Sequence, residues 1–201
     1  MPKIIDHDAK KLEIGNVILN YIAQYGVNDL TVRKLSKFGG FSTGVLSHYF
    51  SDKQEMLNWA CSIHIQQIKS RILKKFESQL CAYQQLEIVI QELLAIENDT
   101  PEMIVPIYFW TAILHEDSLR QYLLESYLVL REFLGQAFEL GIKQKKIKPE
   151  LDVNYEIDRI LALTDGFLIA WNVDKKRFDI SYKKEVVKKL TDELIERIAL
   201  S

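Results

Sequence analysis

The stretch Thr31-Val-Arg-Lys-Leu-Ser-Lys-Phe-Gly-Gly-Phe-Ser-Thr-Gly-Val-Leu-Ser-His-Tyr-Phe-Ser-Asp-Lys53 decides how the rest of this chain is read. Thr31 has a hydroxyl that can accept from a free backbone N–H one turn ahead, so it is expected to cap a helix. Val32 and Leu35 share a face at i, i+3, while Arg33, Lys34 and Lys37 point elsewhere. Gly39 and Gly40 end this short helix, because glycine takes the left-handed conformation that a helix C-terminus often needs. Ser42 or Thr43 then caps a second short helix with Val45, Leu46, Tyr49 and Phe50 as its apolar face. Ser42, Thr43, Gly44, Ser47 and His48 remain for the outer face, and all are small or hydrogen-bonding. Ser51 with Gln54 three residues on has capping-box spacing and starts a third helix. Two short helices joined through a glycine turn and clamped by their neighbours make a helix-turn-helix pattern.

Working outward, the spacing of Ile14, Val17, Ile18, Tyr21, Ile22 and Tyr25 predicts a helix from about Lys10 to Tyr25, closed by Gly26. Residues 1–10, with Pro2, Lys3 and Lys10, are expected to form a mobile arm. On the other side, a helix from Asp52 to about Leu80 presents Met56, Leu57, Ala60, Ile63, Ile68, Ile72 and Phe76. At about 1.5 Å per residue, about 25 residues of it span roughly 37 Å, long enough to act as a lever. Further helices are expected over Gln84–Glu97, Met103–Leu114, about Asp117–Gln144, Val153–Val173 and about Ser181–Leu200. Thr100 and Pro101 read as a helix restart. Gly166 sits inside a helix at a cost of about 1 kcal/mol against alanine, which close helix approach would explain. The fold class is all-α, with about nine helices.

Apolar residues make up 48% of the chain, enough for a full core, and only 4 Pro and 8 Gly interrupt it. No run of about 18 apolar residues exists, so no membrane span is expected. Cys61 and Cys81 do not make a disulfide framework, which suits a cytoplasmic protein. The net charge of −2 hides an asymmetry. Residues 1–75 hold 11 Lys+Arg against 6 Asp+Glu, or +5, and residues 76–201 hold 15 against 22, or −7. A basic N-terminal part is the electrostatic footprint of a nucleic-acid reader.

Catalytic chemistry is not visible. His7, His48, His64 and His115 have no metal-ligand spacing with one another or with a cysteine, so no metal and no cofactor are expected. His115-Glu116-Asp117 reads as a surface loop. Nothing matches a nucleophile elbow or a dinucleotide fingerprint, and the chain is expected not to be an enzyme. Lys143, Lys145, Lys146 and Lys148 cluster where a helix C-terminus favours positive charge.

The motif resembles the DNA-binding domain of the tetracycline-repressor (TetR) family. Leu35 matches the apolar anchor of the second helix and Gly40-Phe41-Ser42 the turn. Ser42-Thr43-Gly44 opens the recognition helix, and His48-Tyr49-Phe50 with Lys53 matches its aromatic end and the following lysine. The wording Ser-Thr-Gly-x-x-Ser-His-Tyr-Phe-x-Asp-Lys looks closest to the choline-responsive BetI-like members. Gly39 and Ser36 stand where alanine is common, Phe41 where valine is common, and Ser47 where many members carry a phosphate-touching tyrosine.

The resemblance implies two domains, 1–50 for DNA and 51–201 for ligand binding and dimerisation, the last two helices pairing with a second copy. Thr31, Tyr49 and Lys53 would meet phosphates, and Arg33 and Lys34 a phosphate or a base edge. Ser42, Thr43, Gly44, Ser47 and His48 would face the major groove. Tyr49 also sits on the apolar face, so core packing is an equal reading. The aromatics Tyr108, Phe109, Trp110, Tyr127 and Trp171 are candidates for a ligand pocket, with ordinary core as the plainer account; Glu97 or Asp165 would add a carboxylate for a quaternary amine. The expected function is a homodimeric, ligand-responsive repressor on a near-palindromic DNA operator. The alternatives are a helical adaptor that has lost DNA binding and a small-molecule-binding helical enzyme.

Overall fold

A computed structural model describes residues 6–76, 79–94, 104–112 and 117–200. Among these the helices are α1 (His7–Tyr25), α2 (Val32–Gly39), α3 (Thr43–Tyr49), α4 (Lys53–Lys75), α5 (Ala82–Leu93), α6 (Val105–Ala112), α7 (Asp117–Lys143), α8 (Val153–Val173) and α9 (Ile180–Ile198). The protein is all-α. Its packing forms two compact units, one of residues 1–67 and 100–126, the other of residues 68–99 and 127–201. Packing therefore groups more of the chain with the helix-turn-helix than a cut at residue 50 does.

In the first unit, α1 supplies Ile14, Ile18, Leu19, Tyr21 and Ile22 to a core shared with Leu35, Leu46, Phe50, Met56, Leu57, Val105 and Phe109. Each such side chain contributes about 1.5–3 kcal/mol when fully buried. Tyr25, expected on the inward face, is 48% exposed. Helix α1 also starts earlier than its apolar spacing suggests. The Asp6 carboxylate accepts from the backbone N–H groups of Asp8 and Ala9, so residues 7–10 are helical and not an arm. The start of α4 is displaced by one residue in the same way. Asp52 accepts from the N–H of Glu55 at 2.8 Å, and Glu55 accepts from the N–H of Ser51 at 2.7 Å. The cap is Asp52, with Glu55 reaching back to Ser51, and not Ser51 with Gln54, whose amide instead donates to Asn58.

The second unit holds the end of α4, α5, most of α7, α8 and α9. Helix α4 ends at Lys75, short of the expected Leu80, and α5 begins at Ala82, before the expected Gln84. Two nearly buried carboxylates are each held by two cations. Glu92 pairs with Arg71 at 2.7 Å and Lys75 at 2.9 Å. Glu156 pairs with Arg159 at 3.0 Å and Arg197 at 2.8 Å. A short antiparallel bridge, Ile147 with Ala199, ties the loop after α7 to the end of α9. There Lys148 donates to the carbonyl of Arg197 at 3.0 Å, so this lysine serves the C-terminus of α9; Lys143, Lys145 and Lys146 are exposed.

Gly166 corrects one expectation. A Cβ built there would meet no atom within 4 Å, so among the described residues no other helix comes close. Close helix approach belongs to Gly15 of α1, where a Cβ would lie 2.0 Å from Ile63 Cδ1 of α4. Cys61 and Cys81 are free, and burial pushes the Cys61 thiol up. No helix among the described residues is long and apolar enough to cross a membrane. The restart at Thr100-Pro101, the residues Pro2, Lys3, Glu97, Met103, His115 and Glu116, and the end of the expected Gln84–Glu97 helix lie outside the described residues.

Candidate nucleic-acid interface

Both caps of the helix-turn-helix form as the sequence implies. Thr31 Oγ1 accepts from Lys34 N at 3.2 Å, and Ser42 Oγ accepts from Val45 N at 3.1 Å. Each hydroxyl keeps its hydrogen for an outside acceptor. Gly40 closes α2 with φ 69°, in the left-handed region where a side chain is strained. The turn that follows is built around Phe41. Ser36 Oγ donates to the Phe41 carbonyl at 2.5 Å, and Lys10 Nζ lies 4.8 Å from the centre of the Phe41 ring. A Cβ on Gly39 would come within 2.7 Å of that ring and 2.8 Å of Val17 Cγ1. Ser36, Gly39 and Phe41 thus depart together from the common Ala, Ala and Val. The larger ring takes the space a methyl would fill, and the serine holds the turn.

On α3 only Leu46 is fully buried, with Val45 and Tyr49 half-buried against the same core. Ser42, Thr43, Gly44, Ser47 and His48 are all exposed, and so are Thr31, Arg33 and Lys34. Lys53, the first residue of α4, is half-buried. The structure brings the ten candidate side chains onto the segments flanking one turn.

Lys34 is not idle in the free chain. Its ammonium pairs with Asp29, whose second oxygen accepts from the Tyr21 hydroxyl at 2.5 Å. Lys34 and Tyr21, with the charge of Lys53 adding to them, hold the Asp29 carboxyl below its ordinary range. Burial first and then the Asp29 carboxylate push the Tyr21 phenol up to about 12. This chain of contacts fixes the start of α2 against α1. It also means that Lys34 must leave Asp29, or share it, before it reaches a base edge.

The core reading of Tyr49 is met, and its hydroxyl stays at the surface. Its ring packs on the core, and its hydroxyl lies 3.1 Å from His7 Nδ1. The His7 ring also sits 5.7 Å from that of His48, and His48 meets Tyr49 edge-on at 5.1 Å. His7 is a residue that sequence reasoning missed, because it was assigned to the arm. The only local signal was Asp6, an N-cap residue type placed just before it.

The five aromatic candidates separate. Tyr108 and Phe109 belong to the first unit, with Phe109 in its core and the Tyr108 ring beside Gly26. Trp110 is in α6 of that unit and half-buried. Tyr127 and Trp171 are in the second unit. There the Tyr127 hydroxyl bonds the Asp165 carboxylate, joining α7 to α8. Burial pushes the pKa of Asp165 above the ordinary carboxylate range, and burial and Asp165 together push that of Tyr127 up. Trp171 is buried beside Phe167 and Phe178 with the Lys183 ammonium 5.2 Å above its ring. Its indole N–H is buried with no hydrogen-bond partner among the described residues. No group of three metal-ligating side chains occurs among the described residues.

This is a helix-turn-helix fold with a helical C-terminal region, and comparison with known proteins gives its class. Residues 82–198 match the family described as the BetI-type transcriptional repressor C-terminal region. The chain is 26% identical over 208 residues to the transcriptional regulator BetI of Proteus mirabilis, covering 98% of this chain and 94% of that protein. It is 24% identical over 189 residues to the regulator PksA of Bacillus subtilis, covering 93% and 90%. A regulator from Saccharomonospora viridis, solved in complex with choline, superposes with TM-score 0.84 at 16% identity over 97% of this chain and all of that one (100%). A TetR regulator from Haloarcula marismortui gives 0.83 at 15% identity, over 96% and 100%. The chain belongs to the TetR family of transcriptional regulators, with a C-terminal region of the BetI type. It is a regulator and not an enzyme.

Proposed function

We propose that this regulator is a homodimeric repressor that leaves a near-palindromic operator when a small molecule binds its C-terminal region. The observation that carries the DNA reading is the open face of α3. Thr43, Gly44, Ser47 and His48 are exposed on it, while Leu46 anchors the opposite side. That face is small and polar enough to enter a major groove, where hydroxyls hydrogen-bond base edges and the threonine methyl can meet a thymine methyl. Thr31, Arg33, Lys34, Tyr49 and Lys53 flank it and would neutralise or bond phosphates.

One seven-residue helix reads few bases, so two copies on half-sites about one helical turn apart are needed. Helix α8 supports the pairing. Its buried residues Ile157, Ile160, Leu161, Thr164, Leu168 and Trp171 lie on one side. Tyr155, Ala162, Gly166, Ile169 and Val173 are exposed and form a strip on the other, at helical spacing. A helix apolar on both faces is normally covered on both. Burying Tyr155, Ile169 and Val173 in each of two copies is worth on the order of 10 kcal/mol, comparable with the roughly 4–15 kcal/mol that association costs. Gly166 would let the partner helix come near.

For the effector, the reading is a small organic cation, bound within the second unit through the Asp165 carboxylate and the Tyr127 ring. The choline complex of the Saccharomonospora viridis regulator supports this chemistry. Helices α4 and α7 each contribute residues to both units and are covalent paths along which an effector would act. The effector shifts the DNA-bound population only by its differential affinity for the two states. In-vitro selection from random duplex DNA tests the reading. An enriched inverted repeat is expected, and choline added to the complex should lower its affinity. A folded dimer that enriches no sequence, even after unfolding and refolding to strip any bound effector, would favour an adaptor.

A further inference from the structure

Resting on the DNA-binding reading above, we propose that His7 is a positioning residue of the interface, which sets the direction of the Tyr49 hydroxyl and makes DNA binding depend on a histidine proton. The geometry is the 3.1 Å contact between His7 Nδ1 and the Tyr49 oxygen. It can be made in two ways. When Nδ1 is bare, the phenol donates to the imidazole, and its oxygen offers a phosphate only lone pairs. Phosphate oxygens are acceptors, so that arrangement repels. When Nδ1 carries a hydrogen, the imidazole donates to the phenol oxygen, and the phenol O–H is free to donate to a phosphate. The imidazolium always carries hydrogen on both nitrogens. Phosphate binding at Tyr49 and protonation of His7 therefore favour one another, and the imidazolium adds a positive charge where the phosphate lies.

The neighbours leave this coupling to the imidazoles. On its own turn His7 follows the cap Asp6 and precedes Asp8. Further along α1, Lys10 pairs with Glu13 at 2.8 Å and Lys11 faces Glu55 of α4 at 4.0 Å. On α3 it faces Tyr49 and His48. An imidazole is the side chain whose charge ordinarily changes between about pH 6 and 8. Two imidazolium rings 5.7 Å apart repel, and a phosphate beside them offsets that repulsion.

The test uses the full-length protein and a duplex that it has itself selected from random DNA, with affinity read by fluorescence anisotropy at constant ionic strength. Wild-type affinity is expected to fall about tenfold from pH 6 to pH 8, as one linked proton is lost. His7→Ala should weaken binding about fivefold at pH 6, the worth of one hydrogen bond, and flatten the pH profile. His7→Gln keeps a donor for the phenol, so it should recover affinity at pH 8 while the profile stays flat. On a Tyr49→Phe background, His7→Ala should add less than about twofold, since the bond is already gone. His48→Gln should leave a pH dependence that still requires His7. The proposal is overturned if His7→Ala and His7→Gln keep the wild-type profile, or if the losses at His7 and Tyr49 simply add. A wild type that retains no duplex at any pH would remove the DNA reading along with this one, whereas unchanged His7 variants of a binding protein would remove this one alone.

Discussion

Helices α3 and α8 each turn one side to a core and leave the other open, and the open sides are opposites. On α3 the open residues are Thr43, Gly44, Ser47 and His48, small or hydrogen-bonding. On α8 they include the strip Tyr155, Ala162, Gly166, Ile169 and Val173, beside exposed Asn154, Asp158 and Leu163, and Val173 is 82% exposed. Water satisfies the first face and not the second. The α3 face can wait in solvent for a polar partner and lose little when it leaves. The α8 face gains only when it is covered, so it suits a lasting partner. On the proposed reading, a reversible contact and a lasting one are written in the same way, as the chemistry left over once the core has taken its share.

The largest effect should come from spoiling the apolar face. Ile169→Glu with Val173→Glu places four carboxylates at a two-fold contact, and the dimer constant should weaken more than about 100-fold, since like charges across an interface cost several kcal/mol. Sedimentation at micromolar protein would read a monomer; a dimer that persisted would assign α8 another cover. Next is the inward side of α3. Leu46→Ala should cost about 3 kcal/mol, against less than about 0.5 kcal/mol for Ser47→Ala on the open side. Equal melting shifts for the two would show that the faces are wrongly assigned.

Smaller effects sharpen the turn that aims α3. Gly39→Ala should cost about 1–2 kcal/mol by pressing a methyl into Phe41, and Phe41→Val in the same chain should recover most of it. Thermal unfolding of the two single variants and the double would read this coupling. Lys53→Ala should weaken DNA binding on all sequences alike and lower the salt slope by about one unit. A last test is at alkaline pH. The Tyr21 phenol rises to about 12 in the fold from an ordinary 10. Its contribution is present below pH 10 and is lost as pH climbs towards 12. Tyr21→Phe should remove that part of the alkaline loss in a pH series of urea midpoints, while any loss from other groups remains.

Much of the DNA-facing half was legible in the sequence. Thr31, Ser42 and Gly40 act within one turn of themselves, and Leu35 and Leu46 repeat at helical spacing. Where the expectation slipped, a neighbouring residue competed for the same role. Asp52 displaced Ser51 as cap because its carboxylate reaches the N–H of Glu55, and Asp6 began α1 before its apolar spacing does. The aromatic pocket candidates were less legible. A ring at helical spacing looks the same whether a core or a cavity receives it, and Phe109 proved to lie in the core of the first unit.

By itself the sequence determined the class of fold, the caps, the turn and the polar face of α3, because each rests on residues within about four positions of one another. Only the tertiary structure decided the rest. It set His7 against Tyr49, 42 residues away, and Tyr127 against Asp165, 38 residues away. It gave Gly39 its purpose through Phe41 and Val17, and it left Gly166 open. Such pairs depend on how helices dock, and docking is settled by the summed packing of many side chains, which no local pattern encodes.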